Sequence, residues 1–305
     1  MFSADNLLSS ISNKELADTI RSLLLLDPPA ASKKLRQNFL FDEAIAVSEG
    51  FEVEKKYQQS SIKDYQRTLW EAPTPELEIE IEIEIQESPI VFECQLEAGI
   101  SKPMLLRSAN GAWFIWKHEE ESDWAINNLA EVAASIIDRS LNLQVVPYTF
   151  PFDRNGRKGI SQLWLHGTEM VFLNFPKCVD HISSGKIRLL DYLIFNRDRR
   201  STNLLVEKNM YFKQTSAPLR LFAIDHGGAF YKRRLDDGTY EQRPPEEVLS
   251  FVGARSIEEL FPIDTMKDGV LSLDSHYPFP ALEKYLSDFD LAGIAERVSW
   301  LQNRI

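Results

Sequence analysis

Apolar positions recur at helical spacing over residues 5–26, where Leu16, Ile20, Leu23 and Leu24 share one face. Ser12-Asn13-Lys14-Glu15 just before them has the form of a capping box, and Asp27-Pro28-Pro29 ends the segment. A second helical stretch is predicted over about 31–47, and residues 50–70 show no clean period. Glu76-Leu77-Glu78-Ile79-Glu80-Ile81-Glu82-Ile83-Glu84-Ile85 then alternates strictly. That period predicts a strand with one acidic and one aliphatic face, serving as a solvated connector or edge. A strip for docking a basic partner is the sharper alternative. Pro73, Pro75 and Pro89 bracket the run, and a domain boundary is expected near residue 88.

Beyond that boundary the pattern mixes the two periods. Strands are predicted at 91–96, 104–107 and 112–117, the last two joined by the turn Ser108-Ala109-Asn110-Gly111. A helix follows over 123–141, with Leu129, Val132, Ala133, Ile136 and Ile137 as its apolar stripe. Strands at 144–150 and 159–165 come next. From Lys186 onward helices dominate, apart from short strands at 203–206 and 219–224, and 281–305 reads as a closing helix.

Composition narrows the class. The 305 residues are 44% hydrophobic and 26% charged, ordinary for a globular protein and unlike a disordered chain. The formal charge is −12, and residues 1–90 hold −8 of it, with 9 Lys/Arg against 17 Asp/Glu. Such a chain does not neutralise a phosphate backbone, so nucleic acid is not an expected partner. No stretch reads as a membrane span or signal peptide, and a cytoplasmic location is expected. Cys94 and Cys178 have no CxxC partner and are expected as packing thiols; the five histidines have no zinc-site spacing.

The strongest chemical signal is Asp198-Arg199-Arg200-Ser201-Thr202-Asn203, set between a helical run and the apolar strand Leu204-Leu205-Val206. Asp225 follows 22 residues after Asn203, at the end of another strand and before His226-Gly227-Gly228. Three oxygen ligands at strand ends suit phosphoryl transfer: one carboxylate orients the attacking hydroxyl, while an amide and a second carboxylate hold Mg²⁺. Read alone, the same residues are also what turns use. Upstream, Lys117 ends the apolar strand Trp113-Phe114-Ile115-Trp116, and Glu131 lies off the stripe of the next helix, where it could hold that lysine; taken by themselves, the two read more simply as a snorkelling strand-end lysine and a solvent-facing glutamate. Glu97-Ala98-Gly99-Ile100-Ser101-Lys102-Pro103 supplies glycine, hydroxyl and lysine for covering phosphates, although a plain hairpin loop has the same composition. The basic run Lys232-Arg233-Arg234 could attract an acidic substrate or be a solvated turn. The order of these parts says more than any one of them.

On these residues the chain resembles the HipA-like kinases and, more widely, the atypical branch that contains the phosphatidylinositol 3- and 4-kinases. The resemblance is carried by Gly99–Pro103, Lys117, Glu131 with Leu143-Gln144-Val145-Val146-Pro147, Asn196-Arg197-Asp198-Arg199, Asn203-Leu204-Leu205 and Ile224-Asp225-His226-Gly227, over roughly residues 90–300. It implies a two-lobed α+β protein-kinase-like fold, with an antiparallel-sheet N-lobe and a mainly helical C-lobe, over 89–305. Residues 1–88 are then a helical extension and acidic linker. It implies ATP and Mg²⁺ as cofactors and a serine or threonine of a protein substrate as acceptor. Asp198 is the implied catalytic aspartate, with Asn203 and Asp225 on the metal. Lys117 is implied on the phosphates and oriented by Glu131, Arg199 as a structural partner of the loop, and Gly99, Ser101 and Lys102 on the nucleotide. An ATP-binding pseudokinase acting as an interaction protein, a lipid or small-molecule kinase, and nucleotidyl transfer stay open as alternatives. Oligomeric state is open too.

Overall fold

A computed structural model describes residues 8, 11, 13–26, 31, 34–35, 75–96, 103–109, 112–118, 128–165, 168–170, 180–207, 219–235, 237–273 and 279–305. The chain divides into two compact units, one of 1–115, 164–169 and 208–215, the other of 116–163, 170–207 and 216–305.

In the first unit, α1 spans Lys14–Leu26. Its cap is Asn13 rather than the expected Ser12: the Asn13 Oδ1 accepts from the Leu16 backbone N–H at 3.1 Å. Ile20 is buried with Leu8, Ile11, Ala17, Ala31 and Leu35 in a small core. The predicted stretch at 31–47 is described only at Ala31, Lys34 and Leu35, which have helical backbone, and 50–70 lies outside the described residues.

The Glu–Ile run forms helix α2, Pro75–Glu87, and not the expected strand. Glutamate is a good helix former. In a helix, residues two apart point about 200° apart while residues four apart align. The alternation therefore splits the isoleucines between two faces: Ile79 and Ile83 are exposed and Ile85 is fully buried.

Strands β1 (Ile90–Gln95), β2 (Met104–Ser108) and β3 (Trp113–His118) follow. β1 pairs antiparallel with β2, and Ser108 N–H donates to the Ala112 carbonyl at the turn into β3. Leu96, Leu105, Trp113 and Ile115 form a buried cluster with Phe92 against it. Cys94, on β1, is a thiol, and Cys178 lies outside the described residues.

The second unit takes up the chain at Trp116. Helix α3 (Asn128–Ser140) precedes β4 (Thr149–Pro151) and β5 (Gly159–Leu163). These complete a five-stranded sheet of order β1-β2-β3-β5-β4, in which β4 and β5 are antiparallel. Only the end of the strand expected at 144–150 forms. Gln144 adopts a positive φ of 59°, and the N–H groups of Val145 and Val146 both donate to the Asp138 carboxylate, so they are not available to a ladder.

After β6 (Thr168–Met170), helix α4 (His181–Ile194) starts at Asp180, whose carboxylate accepts from Ile182 and Ser183 N–H. It ends at Phe195 in the left-handed conformation (φ 44°). Gly185 lets it pass Pro262 closely, since a Cβ there would lie 2.5 Å from the proline ring. A 3₁₀ turn at Ser201–Asn203 leads into β7 (Leu204–Glu207), which pairs antiparallel with β8 (Leu221–Ala223). The remainder is β9 (Arg233–Arg234), β10 (Tyr240–Glu241) and helices α5 (Pro245–Phe251), α6 (Asp264–Leu271), α7 (Phe279–Leu282) and α8 (Asp288–Gln302). Ser287 and Asp290 form a capping box on α8. Its buried Arg297 reaches back to the Leu193 carbonyl at 2.9 Å, tying α8 to α4. One core, drawn from α3, α4, β7, β8 and the C-terminal helices, fills this unit.

Candidate active site

The site is built on the second unit. Lys117, near the end of β3, is buried because both faces of that strand are covered: Trp113 through Lys117 are all buried. Its Nζ donates to Glu131 Oε1 at 2.5 Å, and the two side chains are 10% and 0% exposed. Glu131 sits in the first turn of α3. That helix is buried on most of its circumference, not on one stripe alone: Val132, Ala133 and Ile137 are covered, and so are Glu131, Ser135 and Asp138. The stripe residues Leu129 and Ile136 are only half-buried.

Burial by itself pushes the Lys117 ammonium down, but the charges of Glu131 and Asp225 and the hydrogen bond to Glu131 lift it above the ordinary lysine range. Burial raises Glu131, Lys117 opposes that rise, and the Asp225 charge adds to it. Asp225 is therefore electrostatically coupled to both members of the pair. It is exposed, and it closes β8 with φ 58°, a left-handed backbone that Asp tolerates better than most residues.

The stretch after α4 is wired to the end of β8. Asn196 is buried; its Oδ1 accepts from the Asp198 N–H at 3.0 Å, an Asx turn, and its Nδ2 donates to Asp191 Oδ1. Arg199 donates through Nε and Nη2 to both oxygens of Asp191, at 2.9 Å each. Its Nη1 donates to the carbonyls of Asn203 (2.8 Å) and Ile224 (2.7 Å). One guanidinium thus joins α4, the 198–203 loop and the residue before Asp225. Ile224 N–H also donates to the Asn203 carbonyl at 3.1 Å. Gly228 brings the far side of the 225–228 loop against Asp198: a Cβ on it would lie 3.0 Å from Asp198 Cβ.

These contacts tie Asp198 to Asn203 and to the loop that follows Asp225, whose charge acts on Lys117 and Glu131. Asn203 Nδ2 donates to the Asp198 carbonyl at 2.7 Å, which turns Oδ1 away as an acceptor, with Thr202 Oγ1 at 3.5 Å. The Asn203 amide oxygen and the exposed Asp225 carboxylate are hard oxygen donors of the kind a divalent cation takes. Among the described residues no group of three or more His, Cys, Asp or Glu gathers as a metal site, so a divalent ion here would rest on this mixed pair and on its substrate. Asp198 Oδ1 accepts from Arg200 Nε at 2.5 Å, and the side chains are 41% and 73% exposed. Gly99, Ser101 and Lys102 lie outside the described residues.

Asp191 meets the loop through its carboxylate, on the Asn196 and Arg199 side chains, and through its main-chain carbonyl, on the Asn196 N–H. Three features were not visible in the sequence. Gly228 packs on Asp198, and its only advance signal is the doubled glycine after Asp225-His226. The Asp138 carboxylate braces residues 145–146, and Ala223 N–H of β8 donates to the Val145 carbonyl. His226 is fully buried and neither ring nitrogen has a protein partner; burial, then Arg199 and Lys117, hold it well below the ordinary histidine range, so it is neutral. Of the basic run, Lys232 is engaged by Asp290 at 3.0 Å and by Ser287, and Arg233 and Arg234 form β9. No described helix is long and apolar enough to cross a membrane.

No protein-family model and no curated protein matches the chain. Solved structures do. A crystal structure of the Golgi casein kinase with Mn/ADP bound is similar at 12% identity and a TM-score of 0.51, over 75% of this chain and 75% of that one. A second structure of the Golgi casein kinase aligns at 12% identity and a TM-score of 0.44, over 75% and 74% of the two chains. The Helicobacter pylori proinflammatory kinase CtkA aligns at 12% identity and 0.38, over 72% and 94%. The chain has the α+β kinase-like fold expected of it, by its likeness to the first of these.

Proposed function

We propose that the protein is an ATP- and Mg²⁺-dependent phosphotransferase, a serine/threonine protein kinase of HipA-like type. One observation carries the reading: a buried Lys117–Glu131 pair is coupled to the exposed carboxylate of Asp225, on a loop that Gly228 packs against Asp198. Taking two charges out of water costs several kcal/mol per ion, and a pair kept only for stability is often no better than an apolar one. A lysine fixed beside a solvent-facing carboxylate makes sense if it meets an anion.

In this reading Lys117 neutralises ATP phosphate and Glu131 holds it in position. Asn203 Oδ1 and Asp225 hold Mg²⁺, which when bound offsets negative charge on the phosphates. Asp198 orients the acceptor hydroxyl and accepts its proton as the oxygen attacks the γ-phosphorus. The bond from that phosphorus to the β–γ bridging oxygen breaks, and its electron pair leaves with ADP. By the family resemblance, Gly99, Ser101 and Lys102 are assigned to the nucleotide. The HipA-like assignment rests on the Asn196-Arg197-Asp198-Arg199 and Ile224-Asp225-His226-Gly227 runs.

The pseudokinase reading is favoured by one contact, the Arg200 guanidinium on Asp198, which occupies the oxygen proposed to meet the acceptor. Incubation of the purified protein with Mg²⁺ and either α- or γ-labelled ATP, with a cell extract as acceptor, separates the readings. Label transfer from γ- but not α-labelled ATP to serine or threonine is the expected result. Thermal stabilisation by ATP without transfer points to the pseudokinase, transfer of the α label to a nucleotidyltransferase, and label in lipid or metabolite alone to a non-protein acceptor.

A further inference from the structure

Among the described residues, several cations around the 198–203 loop are held by carboxylates. Arg199 is on Asp191, Arg200 on Asp198, Lys232 on Asp290 and Arg243 on Glu247. Arg197, the residue directly before Asp198, is exposed and has no carboxylate partner among the described residues. Its guanidinium instead lies over two rings, 3.9 Å from the centroid of Tyr231 and 5.3 Å from that of Phe251.

The rings are themselves placed. Phe230 N–H donates to the Ile194 carbonyl at 2.7 Å, fixing the chain at Tyr231. Phe195 is buried and packs edge-on against Tyr231 and tilted against Phe251, with centroids at 5.9 and 5.7 Å. Tyr231 and Phe251 remain 38% and 48% exposed, unusual for large aromatic side chains.

A guanidinium stacked on a ring uses its flat face and leaves its in-plane N–H edge directed outward, in the fork that fits a carboxylate. Stacking also fixes the long side chain beforehand, so less conformational freedom is lost when a ligand binds. A cation held over an exposed aromatic patch, with no carboxylate partner among the described residues and one residue from the proposed catalytic aspartate, is complementary to an anion carried by the acceptor.

We infer that Arg197, with Tyr231 and Phe251, is the docking point for an acidic side chain of the acceptor protein, next to the serine or threonine that is modified. An extended chain advances about 3.3 Å per residue, so the reach of an arginine from a position adjacent to Asp198 sets the acidic residue within about three positions of the acceptor. The inference rests on the phosphotransferase reading, and it adds substrate class to that reading.

The test uses the full chain, γ-labelled ATP and short peptides with one central serine in an alanine background, a single glutamate or lysine being walked from three positions before the serine to three after. The readout is the ratio of kcat/KM for each charged peptide to that of the alanine peptide. For the wild type, glutamate in at least one position raises the ratio about tenfold, the scale of one oriented charge-assisted contact. Arg197→Glu loses that preference and favours lysine at the same position, while Arg197→Lys keeps part of it. Inversion of preference is not something a merely structural arginine produces. An unchanged glutamate preference in Arg197→Glu overturns the docking assignment and leaves the kinase reading standing. Labelling of extract proteins but of no acidic peptide overturns it as well. Absence of γ-label transfer to any acceptor overturns the phosphotransferase reading, and the docking point with it.

Discussion

Lys117→Met removes the ammonium and keeps most of the side-chain volume, leaving the Glu131 carboxylate fully buried with the Asp225 charge nearby. Removing one member of a buried pair costs about 3–5 kcal/mol, because the remaining charge is stranded. The cost depends on pH with a definite sign. Burial already holds Glu131 above the ordinary 4.5, and Lys117 is the main influence drawing it back. Without Lys117 it rises further. Between the unfolded value and that raised folded value, the folded protein holds more protons than the unfolded one, so stability falls as pH climbs through the window. The deficit of Lys117→Met is therefore smallest below the ordinary 4.5 and grows as pH rises above it. The wild-type lysine behaves oppositely at the alkaline end. Its raised value gives a contribution that is complete below about 10.4 and is lost as pH rises through the folded value. Glu131→Leu in the Lys117→Met background removes the stranded charge and should bring stability back to within about 1 kcal/mol of wild type. Urea unfolding of the four proteins of the cycle at pH 5, 7 and 8.5 gives these numbers directly. The reasoning fails if the Lys117→Met deficit is the same at every pH, or if adding Glu131→Leu deepens it.

Two further substitutions probe how the site is assembled. Gly228→Val puts a branched side chain where a Cβ already lies 3.0 Å from Asp198 Cβ. It should lower kcat for γ-phosphate transfer about tenfold or more while the urea midpoint moves little, as steady-state kinetics and unfolding of the same preparation will show. Asp191→Ala strands the Arg199 guanidinium and frees Asn196, losing three side-chain hydrogen bonds; urea unfolding should show a loss of about 3 kcal/mol or more.

Spacing made the ends of the short strands around Asn203 and Asp225 legible, because a strand flanked by turn-forming residues reads locally. The inward position of Lys117 was not legible by itself: a run of large apolar residues marks a buried sheet, but a lysine at a strand end reads equally as one that snorkels to solvent. The Glu–Ile run was misread because a two-residue period is not unique to strands when every second residue is a strong helix former. Burial of Ile85 is a tertiary outcome that the period does not carry. Residues 143–148 were misread because the competitor for their N–H groups, Asp138, belongs to the preceding helix. The Arg199 hub joins groups 4 to 25 residues away, and two of its partners are main-chain carbonyls, which leave no mark in a sequence. The setting of Arg197 on two rings, one from the chain after Asp225 and one from α5, was invisible for the same reason.

The central claim is that Asp198 meets the acceptor while Asn203 and Asp225 meet the metal-bound nucleotide. Single-turnover transfer from γ-labelled ATP, measured for the wild type, Asp198→Asn and Asp225→Asn alongside the thermal shift produced by ATP with Mg²⁺, tests it most directly. Asp198→Asn is expected to keep the thermal shift and lose about 10²–10⁴ in rate, whereas Asp225→Asn loses both. Transfer by Asp198→Asn at the wild-type rate contradicts it.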